Sequence, residues 1–471
     1  MQLLPLSAEA ARFDTVAPVE QVRHRVPITP ALGRPPRVHI WHIGCQMNDA
    51  DHERLAEAFA EIGCVPDAGL DDADLAVLIT CAVRQNAEQK VYGKFKELAR
   101  WKRRRQGRAI ALTGCMGVEH GSALLDRLPD LDYLFDVREP DGFLGKLQAL
   151  WAADLDGPVT MPASDRLSAY VPVIGGCNEM CTYCIVPFVR GREISRRVAE
   201  VVDEVTRLVD RGVREVTLLG QNVNSYRDPD SGAGLAELMA AVDTVPGLRR
   251  QRFLTSHPRN ASAELFEAMR DLPTACEHLH LPVQAGDDRL LHRMRRVYTV
   301  AEYRSILERA VATVPRLSTS TDVIVGFCGE TEEEFAGTVA LLTDARFDVV
   351  HLQAYSPRPG TAAARRADDV PLVEKKRRLN HLLELQRQVA LERNRELSGT
   401  EVEVLVEGVA DDGRSYGRTR QNKVAWLPPG VAVVGEVVRV RVVRVTAWQL
   451  EAEPLGGVRT PVAAAAAGSP A

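Results

Sequence analysis

The sequence predicts an α/β protein in three consecutive parts: an N-terminal parallel α/β domain, a central partial (β/α)6 barrel and a small C-terminal β-barrel. Three observations carry this. Between residues 37 and 150, apolar strand-like runs alternate with amphipathic helical stretches. From 170 to 395 the alternation resumes through six further units. From 398 onward the pattern changes to β-branched residues in alternation, punctuated by Gly and Pro. At 471 residues the chain has room for two or three domains.

Taken in order, residues 1–35 are rich in Pro and Ala without a sustained period, which predicts a flexible leader. Its opening MQLLPLSAEAARFD lacks the basic and apolar regions of a signal peptide. In the first domain, 36–153, RVHIWHIG, LAVLIT and AIALTG predict strands, and DHERLAEAFAEIG and AEQKVYGKFKELARWKRRR predict helices. The two prolines of GPVTMPASD at 157–165 read as a linker. In the core, 163–395, the strands are YVPVIG, EVTLLG, RFLTSH, HLHLPV, STDVIVGF and DVVHLQAY. Each is followed by a helical stretch with no reversal, which favours a partial barrel over a doubly wound sheet. EVEVLVEGV, VAWLPP and GEVVRVRVVRV predict the small barrel at 397–457, and the low-complexity end, 458–471, predicts a disordered tail.

Composition excludes several classes. With 45% hydrophobic residues the chain buries substantial cores and is not disordered. A net charge of -5 excludes a generally basic nucleic-acid binder, so any RNA contact has to come from local patches. No run approaches the roughly 20 apolar residues of a membrane helix. Nine cysteines, an odd number, argue against a secreted disulfide framework and for a reduced, cytoplasmic thiol pool.

The cysteines fall into two sets. GGCNEMCTYCIVPFVRGREISR, at 175–196, places Cys177, Cys181 and Cys184 in a C-x3-C-x2-C loop after the first core strand. Three thiolates on one loop hold three irons of a 4Fe–4S cluster and leave the fourth open to a small molecule. S-adenosylmethionine on that iron is a source of a carbon radical that abstracts hydrogen from an unactivated C–H bond. A structural zinc site wants a fourth ligand, and none lies near; a thioredoxin-like pair would leave Cys177 unexplained. The second set is Cys45, Cys81 and Cys115, each at or just past the carboxyl end of a predicted strand. Ligands bind outside those ends in parallel sheets, so the three can converge on a second cluster; three ordinary buried cysteines are the alternative. Cys64, Cys276 and Cys328 lie outside both sets.

Longer stretches carry a resemblance. GCQMNDAD at 44–51, TCAVRQNAEQKVYGKF at 80–95, LLGQNVNSY at 218–226, HLPVQAGDDRLLHRMRRVYT at 280–299 and DVIVGFCGETEEEF at 322–335 are similar to the radical S-adenosylmethionine methylthiotransferase family, in its dimethylallyladenosine branch. Sister branches typically read GCKVN or GCPKN at the first of these places. The resemblance runs from about 36 to 457 in the family's order of methylthiotransferase domain, radical S-adenosylmethionine core and TRAM domain; Cys328 departs from it, standing where proline is usual, as does Arg296, where glycine or threonine is common. It implies methylthiolation at C2 of N6-(dimethylallyl)adenosine at position 37 of tRNA. It also implies two 4Fe–4S clusters, on the two cysteine sets, and S-adenosylmethionine used twice per turnover, as methyl donor and as radical source. The implied partners are the tRNA anticodon stem-loop and an electron donor such as a flavodoxin or ferredoxin system, with the chain acting as a monomer. Two other readings stay open: the same chemistry on N6-threonylcarbamoyladenosine, and a non-catalytic, zinc-containing RNA-binding protein.

Further residues enter on position. Gly220, Gln221 and Asn222 follow the second core strand, where the methionine part of the cofactor is expected; Gly326 and Glu330 sit in GFCGE, near its expected adenine end. Either set also serves as an ordinary turn. Arg190 and Arg192 lie just past the triad and are candidates for substrate or a cluster-bound carboxylate. His278 and His280 read as packing and hydrogen-bonding residues. For RNA the clearest patch is ARWKRRRQGR, with Lys102, Arg103, Arg104 and Arg105 at a helix end, where the helix dipole alone would also favour cations. In the small barrel Arg414, Arg418, Arg420 and Lys423 are the candidates.

Overall fold

The computed structural model describes residues 21–22, 32–82, 85–152, 154–155, 157–159 and 166–455. Most of the expected leader, most of the expected linker and the whole expected tail lie outside these residues.

The first unit is a sheet of five strands: β1 (Gln21–Val22), β2 (Val38–His42), β3 (Leu75–Thr80), β4 (Ala109–Gly114) and β5 (Tyr133–Leu134), in the order β1-β5-β4-β3-β2. β2 to β5 run parallel and β1 is antiparallel to β5. β3 and β4 are buried at every position, which is why LAVLIT and AIALTG read as unbroken apolar runs rather than alternating ones. β1 and β5, at two residues each, are too short to show a period, and the sequence did not announce them. Gln21 and Val22 fall within the expected flexible leader, yet pair with β5. Leu32 and Gly33, also from that segment, donate their backbone N–H groups to the Asp154 carboxylate, each at 2.7 Å.

The core continues with β6 (Ser168–Pro172), the short antiparallel pair β7 (Ile174–Gly175) and β8 (Ile194–Ser195), then β9 (Glu215–Leu219), β10 (Arg250–Phe253), β11 (His278–His280), β12 (Ser318–Val325) and β13 (Val349–Ala354). β6-β9-β10 and β11-β12-β13 are parallel in chain order, and a parallel bridge between Gln251 and Ala275 joins the two halves. The result is the expected six-strand partial barrel. Its helices pack outside by simple periodicity: Val201, Val205 and Val209 bury one face of helix Val198–Asp210. Thr299 and Thr331 open their helices through capping boxes with Glu302 and Glu334.

Helix Leu372–Arg395 leads into a closed barrel of β14 (Glu401–Val409), β15 (Ser415–Thr419), β16 (Val424–Leu427), β17 (Val437–Val445) and β18 (Gln449–Pro454). Alternate residues, among them Val402, Val404, Val406, Val440 and Val442, fill its interior. β15 and β18 were missed because SYGRT and QLEAEP carry too few apolar residues for a strand pattern. Gly417 has a packing reason: a Cβ there would lie 1.9 Å from the Leu405 carbonyl oxygen.

This barrel docks under the amino ends of the core strands through buried arginines. Arg250, fully buried, donates to Glu403 at 2.9 Å and to the Arg418 carbonyl at 2.7 Å. Arg252 pairs with Glu215 at 2.9 Å and donates to the carbonyls of Thr419 and Arg420. Replacing Arg252 by Met leaves Glu215 buried beside only one remaining cation, Arg250, and takes the donor from the Arg420 carbonyl. The expected cost is about 3–5 kcal/mol, read by chemical denaturation of the full chain, with part of it recovered by adding Glu215→Gln. A loss within about 0.5 kcal/mol would show that the contact is incidental.

Candidate functional site

Each cysteine of the second set stands where a parallel strand ends. Cys81 follows β3 directly, Cys115 follows β4 and opens helix Cys115–His120, and Cys45 caps helix Gln46–Glu61 just after β2. Two glycines let them close in. A Cβ on Gly44 would lie 2.8 Å from the Cβ of Cys81. Gly114, at φ +90°, has room only for hydrogen, because a Cβ would meet the Thr80 carbonyl oxygen. Cys81 and Cys115 are buried and Cys45 is at the rim.

The C-x3-C-x2-C loop is an excursion closed at its base by β7 and β8. Gly176, at φ +75°, packs directly on the Arg192 backbone, and the Cys177 N–H donates to the Gly191 carbonyl at 3.1 Å. Thr182 pins the middle of the loop: its N–H and hydroxyl donate to the carbonyls of Met294 and Arg293, both at 3.0 Å. Burial pushes the Cys177 thiol up. Burial, then Cys181 and, from the other set, Cys115 push the Cys184 thiol up to about 12. Buried thiolates in such a place want a compensating cation, which a metal cluster provides. Arg296 supplies part of that charge, donating to the Cys181 sulfur at 3.5 Å and to the Pro282 carbonyl at 2.8 Å.

The two sets face each other. Ala82 and Cys115 of the first unit pack with Ile185 and Val189, which follow the triad. Beside them opens a cleft of about 730 Å³, lined by Gly44 and Lys90 on one side and by Cys184, Asp322, His351 and Arg358 on the other. So the carboxyl edges of both sheets border one space.

The remaining predicted residues divide. Asn222 is buried and donates to Glu193 at 3.2 Å; Glu193 in turn accepts from Asn178 inside the cysteine loop, so the GQN turn braces that loop. Gln221 keeps a buried side-chain oxygen without a partner among the described residues, an acceptor suited to the ammonium group of S-adenosylmethionine. Gly220 lies against Ile174 and Val223, with no space for a Cβ. Glu330 is buried; its Oε2 accepts from the Gly326 N–H and from Arg378 at 2.9 Å and so shapes the turn, while its Oε1 is buried without a partner among the described residues. Gly326 itself rests on the Lys375 stem. His278 and His280 both hydrogen-bond Ser320, in line with their reading as structural residues.

Most of the basic residues are paired with acids. Lys102 is held by Asp132 at 2.7 Å, Arg103 by Asp130 and Arg105 by Asp74, also at 2.7 Å; Arg104 is exposed. These acids lie at the amino edge of the first sheet, so the run sits a strand length, roughly 20 Å, from the cysteines. Arg420 is taken up by Glu277 and Lys423 by Asp348, both in the docking interface. Arg414 pairs with Asp412, and Arg418 remains partly exposed, with Glu407 at 3.8 Å. Arg190, a candidate for substrate or a cluster-bound carboxylate, is buried on Asp51 and Cys115. Arg192 is exposed. Nothing in the sequence points to Lys90 or Arg358, and Arg296 stands out there only as a departure from the family pattern; the folded chain brings Lys90 and Arg358 to the cleft beside Cys184 and Arg296 to the Cys181 sulfur.

Comparison with known proteins agrees with this layout. Residues 37–136 match the family model described as Uncharacterized protein family UPF0004, 171–342 the Radical SAM superfamily and 395–455 the TRAM domain. Radical SAM membership carries S-adenosylmethionine and a 4Fe–4S cluster with it. The solved radical S-adenosylmethionine methyltransferase TsrM from Kitasatospora setae shares the fold, with a TM-score of 0.52 over 70% of this chain and 77% of that one at 14% identity. Among the described residues no helix is long and apolar enough to cross a membrane. The tRNA-2-methylthio-N(6)-dimethylallyladenosine synthase of Dehalococcoides mccartyi is 42% identical over 427 residues, covering 89% of this chain and 98% of its own. That of Dictyoglomus thermophilum is 39% identical over 432 residues, with the same coverage. The chain belongs to the family of tRNA-2-methylthio-N(6)-dimethylallyladenosine synthases.

Proposed function

We propose that the chain inserts a methylthio group at C2 of N6-(dimethylallyl)adenosine at position 37 of tRNA, using S-adenosylmethionine as both methyl donor and radical source. The observation that carries this is the approach of the two three-cysteine sets to each other: Cys115 packs with Ile185 and Val189 just past the triad, and Gly44 and Cys184 line one cleft. A C2–H bond is neither acidic nor hydridic, so acid–base groups have no purchase on it. Cys177, Cys181 and Cys184 would hold one 4Fe–4S cluster and Cys45, Cys81 and Cys115 a second. When bound, the first with S-adenosylmethionine supplies hydrogen-abstracting chemistry, and the second supplies sulfur.

The chain's own residues then have separable tasks. Thr182, Asn222 and Glu193 hold the triad loop in one conformation, and Gln221 offers its free oxygen to the cofactor ammonium. Lys90 and Arg358, from different domains, flank the cleft and would take the phosphates of an unstacked nucleotide. Arg418 and Arg192 add exposed cations. A flavodoxin- or ferredoxin-type donor suits the one-electron start of the chemistry. Nine free cysteines suit a reducing, cytoplasmic setting.

Nucleoside mass spectrometry of tRNA tests the reading. In cells lacking the gene, dimethylallyladenosine should accumulate, and restoring the chain should convert it to its 2-methylthio form. Unchanged dimethylallyladenosine would overturn the substrate assignment, and a methylthio group on threonylcarbamoyladenosine would transfer it to the sister substrate. Gly114→Ala should lower reconstituted iron to about half by displacing Cys115, while Cys181→Ala should remove the other half. Equal iron in parent and both variants would refute the ligand assignment. For RNA, Lys90→Glu and Arg358→Glu should each weaken stem-loop binding and reduce the salt slope by about one. Arg103→Glu, at the far edge, should leave both unchanged.

A further inference from the structure

One side chain touches both halves of the site. Arg190 ends the short helix Val186–Arg190, which begins two residues after Cys184, yet its guanidinium reaches into the first unit. Nε donates to the Cys115 sulfur at 3.2 Å, and Nη2 donates to the Asp51 carboxylate at 2.8 Å. Nη2 also lies 3.4 Å from the Asn48 side-chain oxygen, next to Cys45 on the same helix. Its backbone is fixed as well, since the Arg190 carbonyl accepts from Arg138 at 3.0 Å and the following Gly191 carbonyl accepts from Cys177. The residue is 9% exposed, so this charge is shared among its neighbours and not with water. A carboxylate on one edge and a sulfur on the other is an arrangement that a planar guanidinium satisfies and a lysine ammonium does not.

We propose that Arg190 is a positioning residue for the N-terminal cysteine set: clamped by Asp51, it fixes Cys115 relative to the triad and places a positive charge beside the iron–sulfur group held there. This rests on reading Cys45, Cys81 and Cys115 as cluster ligands. Hydrogen bonds and charge at a cluster's sulfurs set its reduction potential, so the role reaches beyond holding two domains together. Asp51 acts through Arg190. The pair carries no net charge, and its removal as a pair leaves no buried ion unpaired.

The test uses the reconstituted full-length enzyme. Arg190→Met combined with Asp51→Asn removes both charges; Arg190→Lys keeps the charge and loses the fork. Redox titration followed by electron paramagnetic resonance should show the N-terminal cluster harder to reduce in the double variant. At the parent's midpoint its reduced-to-oxidised ratio should fall at least tenfold, about 59 mV for a one-electron couple. Arg190→Lys should shift it less, and dipolar coupling between the two reduced clusters should broaden in both variants. Loss of about half the iron from a chain that melts within a few degrees of the parent would also support the proposal, since positioning has then failed outright. A double variant with full iron and an unshifted N-terminal potential overturns it, as does an equal shift of both clusters. A parent chain that holds a single cluster overturns the ligand reading beneath it, and the iron count separates that result from an unshifted potential.

Discussion

The site depends on one helix that is apolar on two sides. Helix Gln46–Glu61 buries Leu55, Ala56 and Phe59 in the core of its own sheet, while Met47 and Ala50 pack on Leu219 of the partial barrel, with Tyr170 and Leu254 around them. Glu53 and Glu57 add ion pairs to Arg166 and Arg211 of the barrel side. Because the same helix starts at Cys45, its docking sets where the first cysteine stands relative to the triad. A close-packed contact of this kind does not slide, since interdigitated side chains leave few alternative registers.

Around that anchor, buried arginines do the joining. Arg190 links the first unit to the triad loop, Arg296 links β11 and the triad through Pro282 and Cys181, and Arg250 and Arg252 hold the small barrel under the core. Burial works against the charge on Arg190, and Asp51 and Cys115 outweigh it, holding its pKa well above the usual arginine value. Arg296 is held by the Tyr298 hydroxyl at 2.9 Å, the Pro282 carbonyl and the Cys181 sulfur. Each cation is thus stable only with its partner in place, so the domain contacts and the sulfur environment form together.

Much of this was legible in the sequence. The strand runs, the loop spacing of Cys177, Cys181 and Cys184, and the strand-end position of Cys45, Cys81 and Cys115 all follow from local pattern, because side-chain periodicity and loop length are properties of a few adjacent residues. The basic run at Lys102 to Arg105 shows the complementary limit. A charge run shows cations but not the acids that meet them, and Asp74, Asp130 and Asp132 are distant in sequence and adjacent only in space. Glu330 is the same case, a polar residue in a suggestive turn whose partner Arg378 arrives from a helix 48 residues on.

By itself, then, the sequence determined the three-part architecture and the two groups of thiols, since both are written in short-range spacing. Tertiary structure decided that the two groups come together, that Lys90 and Arg358 stand at the sides of a cleft beside Cys184, and that Arg190 faces sulfur instead of solvent. The physical reason is that these are contacts between separate domains. Their energy comes from desolvated charge and packed surface that exist only once the chain has closed on itself, and no local period records them.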